Sequence, residues 1–217
     1  MNPQLLIIGG PNGAGKSTFS KDLSPEGALI YDADIVKARI SAKFPDLPDE
    51  SIYYAIEQDY LDNIDAILKL RQHFTVETNF RDAGLLSTVT RFKEASYDTT
   101  LVYMCLRSVE QSMDRVNRRV RNGGHFVDNN SISYNFNKGL KNLEYFANRF
   151  DNIEVIDVSN DVLHIKSLLS VQDKQLIYYD ENSPDWTKNY LQNIARQYTK
   201  PDLDRDQDED RYRGPRR

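Results

Sequence analysis

The sequence has very little cysteine, no long apolar run and no excess of positive charge. Cys105 is the single cysteine among 217 residues, which excludes a disulfide framework. No apolar run approaches the roughly 20 residues that cross a bilayer, so we expect no membrane-spanning segment. The formal net charge of −5 argues against bulk attraction to nucleic acid. These absences predict a globular protein that works without disulfides, membranes or nucleic acid.

No basic segment followed by an apolar stretch opens the sequence, so we expect no secretion signal. We therefore expect a cytoplasmic protein. Hydrophobic residues at 39% and charged residues at 28% are typical of a soluble domain. We predict one P-loop kinase-like domain over residues 1–199, with a core at 4–158 and an extension at 159–199, followed by a disordered charged tail at 200–217.

What the sequence does contain is a glycine-rich loop behind an apolar segment. Residues 10–17 match G-x-x-x-x-G-K-[ST], a pattern whose backbone N–H groups surround phosphate oxygens, and residues 4–8 are typical of a buried parallel strand. We predict that Lys16 contacts the β- and γ-phosphates of a nucleotide and that Ser17 coordinates Mg²⁺. The predicted nucleotide-binding residues are Gly10, Pro11, Asn12, Gly13, Ala14, Gly15, Lys16, Ser17 and Thr18.

Apolar runs alternate with helical patterns along the rest of the chain. Strands are predicted at residues 4–8, 28–31, 73–76, 101–106 and 152–158, and helices at 17–23, 35–40, 52–70, 85–92, 109–120 and 132–150. This alternation predicts an α/β protein with the three-layer α/β/α P-loop NTPase fold and a mainly parallel five-stranded sheet. A short helix at 162–169, a strand at 175–179 and a helix at 184–198 are expected to follow.

Carboxylates come directly after the second and third predicted strands, where open α/β sheets place their chemistry. We expect Asp34 to accept the proton of a substrate hydroxyl as a general base. Asp32 either binds substrate or caps the helix that follows it. Glu77 either holds Mg²⁺ and contacts substrate, or satisfies nearby backbone N–H groups.

A run of arginines ends the helix predicted at residues 109–120 and leads into the glycine-rich elbow at residues 122–125. Guanidinium groups suit spread phosphate charge, so this helix is expected to close over the nucleotide as a lid. His125 in the elbow either bonds substrate or fixes the turn. An RNA-end kinase would use the same loop and the same arginines. The arginines are Arg115, Arg118, Arg119 and Arg121.

Four segments, at residues 10–18, 32–34, 74–78 and 115–127, make the chain resemble the zeta-toxin family of P-loop kinases, in the branch often labelled predicted ABC-type ATPases. The resemblance implies transfer of a phosphoryl group from ATP, with Mg²⁺, to a small molecule such as UDP-N-acetylglucosamine or another sugar nucleotide. It also implies a protein antitoxin or other regulator as a partner. The implied roles are Lys16 and Ser17 on phosphate and metal, Asp34 as base, Glu77 and Thr78 on the substrate side, and Arg119 or Arg121 on the transferring phosphate.

The sequence departs from the family pattern after the elbow. Asp128 stands where proline is common, and residues 133–135 lack an arginine that the next helix often carries, so a second phosphate clamp is missing unless Lys138 replaces it. A different hypothesis is an ATP-dependent switch or ATPase that acts on a protein partner, with the ordered C-terminal extension and the charged tail as the docking surface.

Overall fold

A seven-stranded sheet forms the middle layer of the protein in the computed structural model, which describes residues 2–160 and 165–199. Its strands are β1 Gln4–Gly9, β2 Leu29–Asp32, β3 Phe74–Thr78, β4 Asp98–Cys105, β5 Asn152–Asp157, β6 Lys166–Gln172 and β7 Gln175–Tyr179. The helices are α1 Lys16–Leu23, α2 Ala33–Lys43, α3 Asp49–Leu70, α4 Leu85–Glu94, α5 Val109–Arg121, α6 Asn129–Phe146 and α7 Asp185–Thr199.

The strand order is β2-β3-β1-β4-β5-β6-β7, and the pairs among the first five strands are parallel. β1 lies in the centre, and its residues Leu5, Ile7 and Ile8 are fully buried because helices cover both faces of a parallel sheet. The register brings Glu77 of β3 beside Ile8 of β1 and beside Asp32 of β2. The strand ends that carry the predicted chemistry are therefore neighbours.

The five predicted parallel strands and the three-layer α/β fold are confirmed, but the strand count was wrong. β6 pairs antiparallel with β5, and β7 pairs antiparallel with β6, which gives seven strands among the described residues. The helix predicted at 162–169 is also wrong where the structure describes it, because β6 begins at Lys166; residues 162–164 lie outside the described part. Leu168 and Leu169 are fully buried in β6, so pairing with β5 determines the local structure.

Short polar side chains start the two helices that flank the elbow. The Ser108 hydroxyl accepts from the backbone N–H of Gln111 at 3.2 Å and caps α5. Asp128 accepts from the backbone N–H of Ser131 at 2.9 Å and caps α6, and the Ser131 hydroxyl donates back to it at 2.6 Å. These hydrogen bonds lower the pKa of Asp128. The residue that departs from the family pattern is thus the start signal of a helix.

The ends of the fold match the predictions in part. Cys105 is buried at the end of β4. The strand at 175–179 and the helix at 184–198 are confirmed as β7 and α7, while α6 ends at Phe146 and a 3-10 turn, Ala147–Arg149, completes its predicted length. No helix in the described ranges is both long and apolar enough to cross a membrane. The predicted disordered tail lies outside the described residues.

Candidate active site

The glycine-rich loop turns sharply between β1 and α1, as the sequence pattern predicts. Gly13 has φ 78° and Gly15 has φ 93°, backbone conformations that side chains disfavour. A Cβ at Gly13 would also stand 2.9 Å from Cβ of Arg115 on α5. Gly15 is the N-cap of α1, so the positive end of that helix points at the loop. The loop and α1 together form the anion-binding geometry of helix N-termini.

Lys16 folds back over this loop. Its Nζ donates to the carbonyl oxygens of Gly10 at 2.9 Å and Pro11 at 3.2 Å, and to Oδ1 of Asn79 at 3.0 Å. Burial lowers the pKa of Lys16 to about 8, and the charges of Glu77 and Asp34 offset only part of that effect. The ammonium group is therefore held in place but easily deprotonated compared with an ordinary lysine.

The Glu77 carboxylate at the end of β3 accepts hydrogen bonds from two serines of α1. The Ser17 hydroxyl donates to its Oε2 at 2.6 Å, and the Ser20 hydroxyl donates to its Oε1 at 2.6 Å. Glu77 is only 9% exposed, so these bonds compensate the cost of burying the carboxylate. Both oxygens of Glu77 accept from serine hydroxyls, and Ser20 is a residue of the site that the sequence reasoning missed.

The same pair of hydroxyl and carboxylate is what a magnesium site requires. Mg²⁺ prefers oxygen ligands and is usually held by one or two protein groups together with phosphates and waters. Ser17 and Glu77 are in direct contact and both line the cavity in front of the loop, so they fit this ion. No cluster of three or more acidic, histidine or cysteine side chains that would hold a metal alone occurs among the described residues.

Asp32 and Asp34 have different positions although they are two residues apart. Asp32 Oδ1 accepts from the backbone N–H of Asp34 at 2.8 Å and is the N-cap of α2, which is the structural reading of this residue. Asp34 lies exposed in the first turn of α2. Both line the same cavity as Lys16, and the charge of Asp34 raises the pKa of that lysine.

The arginines at the end of α5 do not share one environment. Arg119 lines the cavity, and its guanidinium donates to the carbonyl oxygen of His125 at 2.8 Å. A Cβ at Gly124 would stand 2.5 Å from Cγ of Arg119, so the elbow packs closely on this side chain. His125 also lines the cavity, whereas Arg121 does not.

Arg115 has a structural task. Its guanidinium donates to the carbonyl oxygens of Val158, Ser159 and Asn160 at 2.6, 3.1 and 2.9 Å, and more weakly to Gly13 at 3.4 Å. One planar group with five donors can serve several carbonyls at once. Arg115 thereby ties the glycine-rich loop to the segment that follows β5, and it is occupied before any nucleotide binds.

Three polar residues of the site carried no signal in the sequence. Asn79 bonds Lys16, as described above, and Asn135 of α6 donates to Asn12 in the loop at 2.8 Å. Arg81 donates to Asn135 at 3.2 Å. All of them line the cavity, whereas Lys138, the suggested substitute for a phosphate clamp, does not. Arg81 supplies a guanidinium on that side instead.

The substrate-side residues after β3 are held by a tight turn. The Thr78 hydroxyl accepts from the backbone N–H of Phe80 at 3.0 Å, and Phe80 is buried with φ 55°. This turn places Asn79 and Arg81 at the cavity while Phe80 packs into the core. The Thr78 hydroxyl therefore shapes the backbone of the site as well as lining it.

All these groups face one cavity of about 900 Å³. A volume of this size is at the upper end of small-molecule sites and accommodates a nucleotide tail and a second molecule together. Its predicted lining residues are Asn12, Gly13, Gly15, Lys16, Ser17, Thr18, Asp32, Asp34, Glu77, Thr78, Arg119 and His125. Gly10, Pro11 and Ala14 lie in the loop behind them.

The model of the family described as Zeta toxin matches residues 1–182 of the chain. The chain belongs to the Zeta toxin family. An uncharacterised protein of Haemophilus influenzae is 25% identical over 146 residues, which cover 63% of this chain and 94% of that protein.

Two solved structures have the fold of this Zeta toxin family member. One comes from the PezAT chromosomal toxin–antitoxin system of Streptococcus pneumoniae; it has a TM-score of 0.55 at 15% identity, over 89% of this chain and 78% of that one. The other is the AvrRxo1-ORF1:ORF2 complex with ATP, with a TM-score of 0.63 at 14% identity, over 90% of this chain and 64% of that one.

A second cavity of about 530 Å³ lies on the other side of Arg115 in this Zeta toxin family protein. It is lined by the start of α5 and by the segment after β5, including Arg107, Arg118, Ser159 and Asn160. The Ser159 hydroxyl is buried without a hydrogen-bond partner among the described residues. Arg115 is the residue that lines both cavities.

Proposed function

We propose that this protein is a phosphotransferase that moves the γ-phosphoryl group of ATP, with Mg²⁺, onto a hydroxyl group of a small acceptor. The observation that carries the proposal is the shared cavity: Lys16, the glycine-rich loop and the exposed carboxylate of Asp34 all line it. Family membership supports the same activity. A phosphate cradle and an exposed carboxylate in one site are the two parts that transfer to an alcohol requires.

The nucleotide would lie along the loop. The backbone N–H groups of residues 12–17 and the N-terminal end of α1 would bind the β- and γ-phosphates, and Lys16 would exchange its carbonyl partners for phosphate oxygens. The second cavity beyond Arg115 is the proposed place of the nucleoside. Ser17 and Glu77 would hold Mg²⁺, which supplies charge neutralisation between the β- and γ-phosphates when it is bound.

The transfer step itself needs a base and a group that stabilises charge. The Asp34 carboxylate would accept the proton of the acceptor hydroxyl while that oxygen bonds to the γ-phosphorus. The bond between the γ-phosphorus and the bridging oxygen breaks, and ADP leaves with its electron pair. Arg119, released from the His125 carbonyl, would bind the transferring group and stabilise its charge.

Two residues that line the cavity suit an anionic acceptor with a planar part. Lys37 supplies positive charge, and its Nζ lies 5.1 Å from the ring centroid of Tyr53, whereas Arg81 is paired with Asp82 at 3.2 Å. A sugar nucleotide combines phosphate charge with a ring that such a tyrosine can stack on. We therefore propose UDP-N-acetylglucosamine or another sugar nucleotide as the acceptor.

We also propose a protein partner, on the grounds of similar structures that are parts of complexes and of apolar residues exposed at the cavity. The PezAT structure belongs to a toxin–antitoxin system, and the AvrRxo1-ORF1 structure is a complex with ORF2. Exposed apolar side chains at the cavity, Ile35 at 65%, Tyr53 at 59% and Phe126 at 63%, offer a surface that an antitoxin could cover. The alternative of an ATP-dependent switch depends in part on the charged tail, which lies outside the described residues.

The decisive experiment follows the phosphate. The purified protein is incubated with ATP and Mg²⁺, first with UDP-N-acetylglucosamine and then with a pooled extract of small metabolites, and mass spectrometry detects any compound that gains one phosphate. We expect one phosphorylated acceptor and an equal amount of ADP. ADP formed with no phosphorylated product in either mixture would contradict the proposal and favour an ATPase.

A further inference from the structure

Two buried asparagines join the glycine-rich loop to α6. Asn12 is 5% exposed and Asn135 is 3% exposed, although their amide groups are strongly polar. Asn135 Nδ2 donates to Asn12 Oδ1 at 2.8 Å, across 123 positions of sequence. A buried amide is costly unless it is hydrogen-bonded, so this contact fixes how the two side chains lie.

Arg81 determines which way the Asn135 amide is turned. Its NH1 donates to Asn135 Oδ1 at 3.2 Å, and a guanidinium group has donors only. The oxygen of Asn135 must therefore face Arg81, which leaves its nitrogen to face Asn12. Asn12 in turn must present its oxygen to Asn135.

The result is an unused donor at the nucleotide loop. Asn12 Nδ2 makes no hydrogen bond within the part of the chain that the structure describes. Asn12 also lines the cavity in front of the loop. The backbone of Asn12 is held separately, because its carbonyl oxygen accepts from the hydroxyl of Ser112 on α5. The direction of the Asn12 amide thus depends on Asn135 and not on the loop alone.

We propose that Asn135 is a positioning residue for nucleotide binding. It holds the Asn12 amide so that Nδ2 donates to a phosphate oxygen of the bound nucleotide, and Arg81 keeps Asn135 in the orientation that this requires. This inference rests on the proposed function, since it assigns a phosphate to the cavity in front of the loop. It adds a side-chain contact to the backbone N–H groups that the loop motif already provides.

The test compares two buried asparagines of the same helix. Asn142 is also 3% exposed, and its Nδ2 donates at 2.9 Å to the carbonyl oxygen of Phe80, in the turn that carries Arg81, without a hydrogen bond to Asn12. Asn142→Leu therefore also shows what a general disturbance of that turn does to affinity. Asn135→Leu removes the bonds of Asn135 to Asn12 and from Arg81, and Asn142→Leu removes one bond to Phe80, so both should lower the melting temperature. Calorimetric titration with Mg·ADP should show binding about five- to tenfold weaker in Asn135→Leu and within about twofold of the unmodified protein in Asn142→Leu.

Equal losses of Mg·ADP affinity in the two variants would overturn the inference, because they would reveal a general effect of a weakened α6. Unchanged affinity in Asn135→Leu would overturn it as well. If Asn135→Leu does not fold, Asn12→Ala tests the same contact from the loop and should weaken Mg·ADP binding by a similar factor; unchanged binding in that variant contradicts the inference.

Failure of the proposed function can be told apart from failure of the inference on Asn135. An unmodified protein that binds no Mg·ADP would refute the proposed function, and the inference with it. A protein that binds Mg·ADP but phosphorylates nothing would remove the transfer step, while the comparison of Asn135→Leu with Asn142→Leu would still decide the role of Asn135.

Discussion

Ser20 donates its hydroxyl to Glu77 at 2.6 Å from a position that is only 1% exposed. The bond runs between α1 and the end of β3, and it holds the carboxylate whose other oxygen accepts from Ser17. Outer groups of this kind orient metal ligands without touching the metal. The first prediction concerns this contact.

Ser20→Ala should weaken the response to Mg²⁺ more than the binding of nucleotide alone. Without the Ser20 hydroxyl, Glu77 loses one of its two hydrogen bonds, and the Mg²⁺ concentration for half-maximal ATP turnover should rise by about tenfold or more. The free energy of unfolding should fall by about 1–2 kcal/mol. Ser87→Ala is the control, because the Ser87 hydroxyl donates to the nearby carbonyl of Gly84 on an exposed helix start. An Mg²⁺ response equal to that of the control would contradict the role of Ser20.

The affinity for ADP should fall as pH rises above about 8. The pKa of Lys16 is about 8 in the free protein, so the phosphate-binding ammonium loses its proton above that pH, and binding must then restore it. The dissociation constant measured between pH 6.5 and 9.5 should be flat at the lower end and rise by about tenfold per pH unit at the upper end. Lys16→Met should remove this dependence, whereas Lys21→Met in the exposed last turn of α1 should keep it. A flat profile in the unmodified protein would refute the assignment.

Asp34→Asn should separate binding from transfer. The amide keeps the size of the side chain but cannot accept the acceptor proton, so phosphate transfer should fall by roughly 10²- to 10⁴-fold. ATP binding should change little, because the Asp34 side chain makes no hydrogen bond to the loop within the described residues. Asp22→Asn, on the exposed side of α1, serves as the control and should transfer phosphate at the normal rate. Full transfer activity in Asp34→Asn would rule out its role as the base.

Substitution of Arg119 should slow phosphate transfer far more than substitution of Arg121. Arg119 lines the cavity and Arg121 does not, although they are two residues apart on α5. We expect Arg119→Ala to slow transfer by roughly 10³-fold, as loss of a transition-state arginine does, and Arg121→Ala to have little effect. Single-turnover measurements at saturating ATP distinguish this from weaker binding. The reverse order of effects would move the assignment to Arg121.

The sequence predicted the central fold because its signals are local. Residues 4–8 and 101–106 are continuous apolar runs, which suit strands that are buried on both faces. The loop at residues 10–17 has a pattern with one structural meaning in this context. Part of β6 was wrongly predicted as a helix. Its strand conformation depends on pairing with β5 and β7, which no local sequence pattern shows.

Four charged residues whose roles stay predictions, and two amides, line the cavity. Lys16 was predicted from the loop motif, Asp34 and Glu77 from their places after strands, and Arg119 from the arginine run. Asn79 and Asn135 were not, because an asparagine has no periodicity and its partner is known only from the fold. The contact between Asn12 and Asn135 spans two distant segments, so no local pattern encodes it.

Arg115 and Gly13 set a mechanical limit on the nucleotide site. Helix α5 packs against the loop at Gly13, and the guanidinium of Arg115 on this helix donates to the carbonyl oxygens of residues 158–160. The first half of α5 therefore cannot slide without breaking several hydrogen bonds. If the end of α5 closes over a nucleotide, we expect the chain to bend beyond Arg115, in the last turn of α5 and the elbow around Gly124. The sheet and the start of α5 are then expected to stay in place while nucleotide binds and leaves.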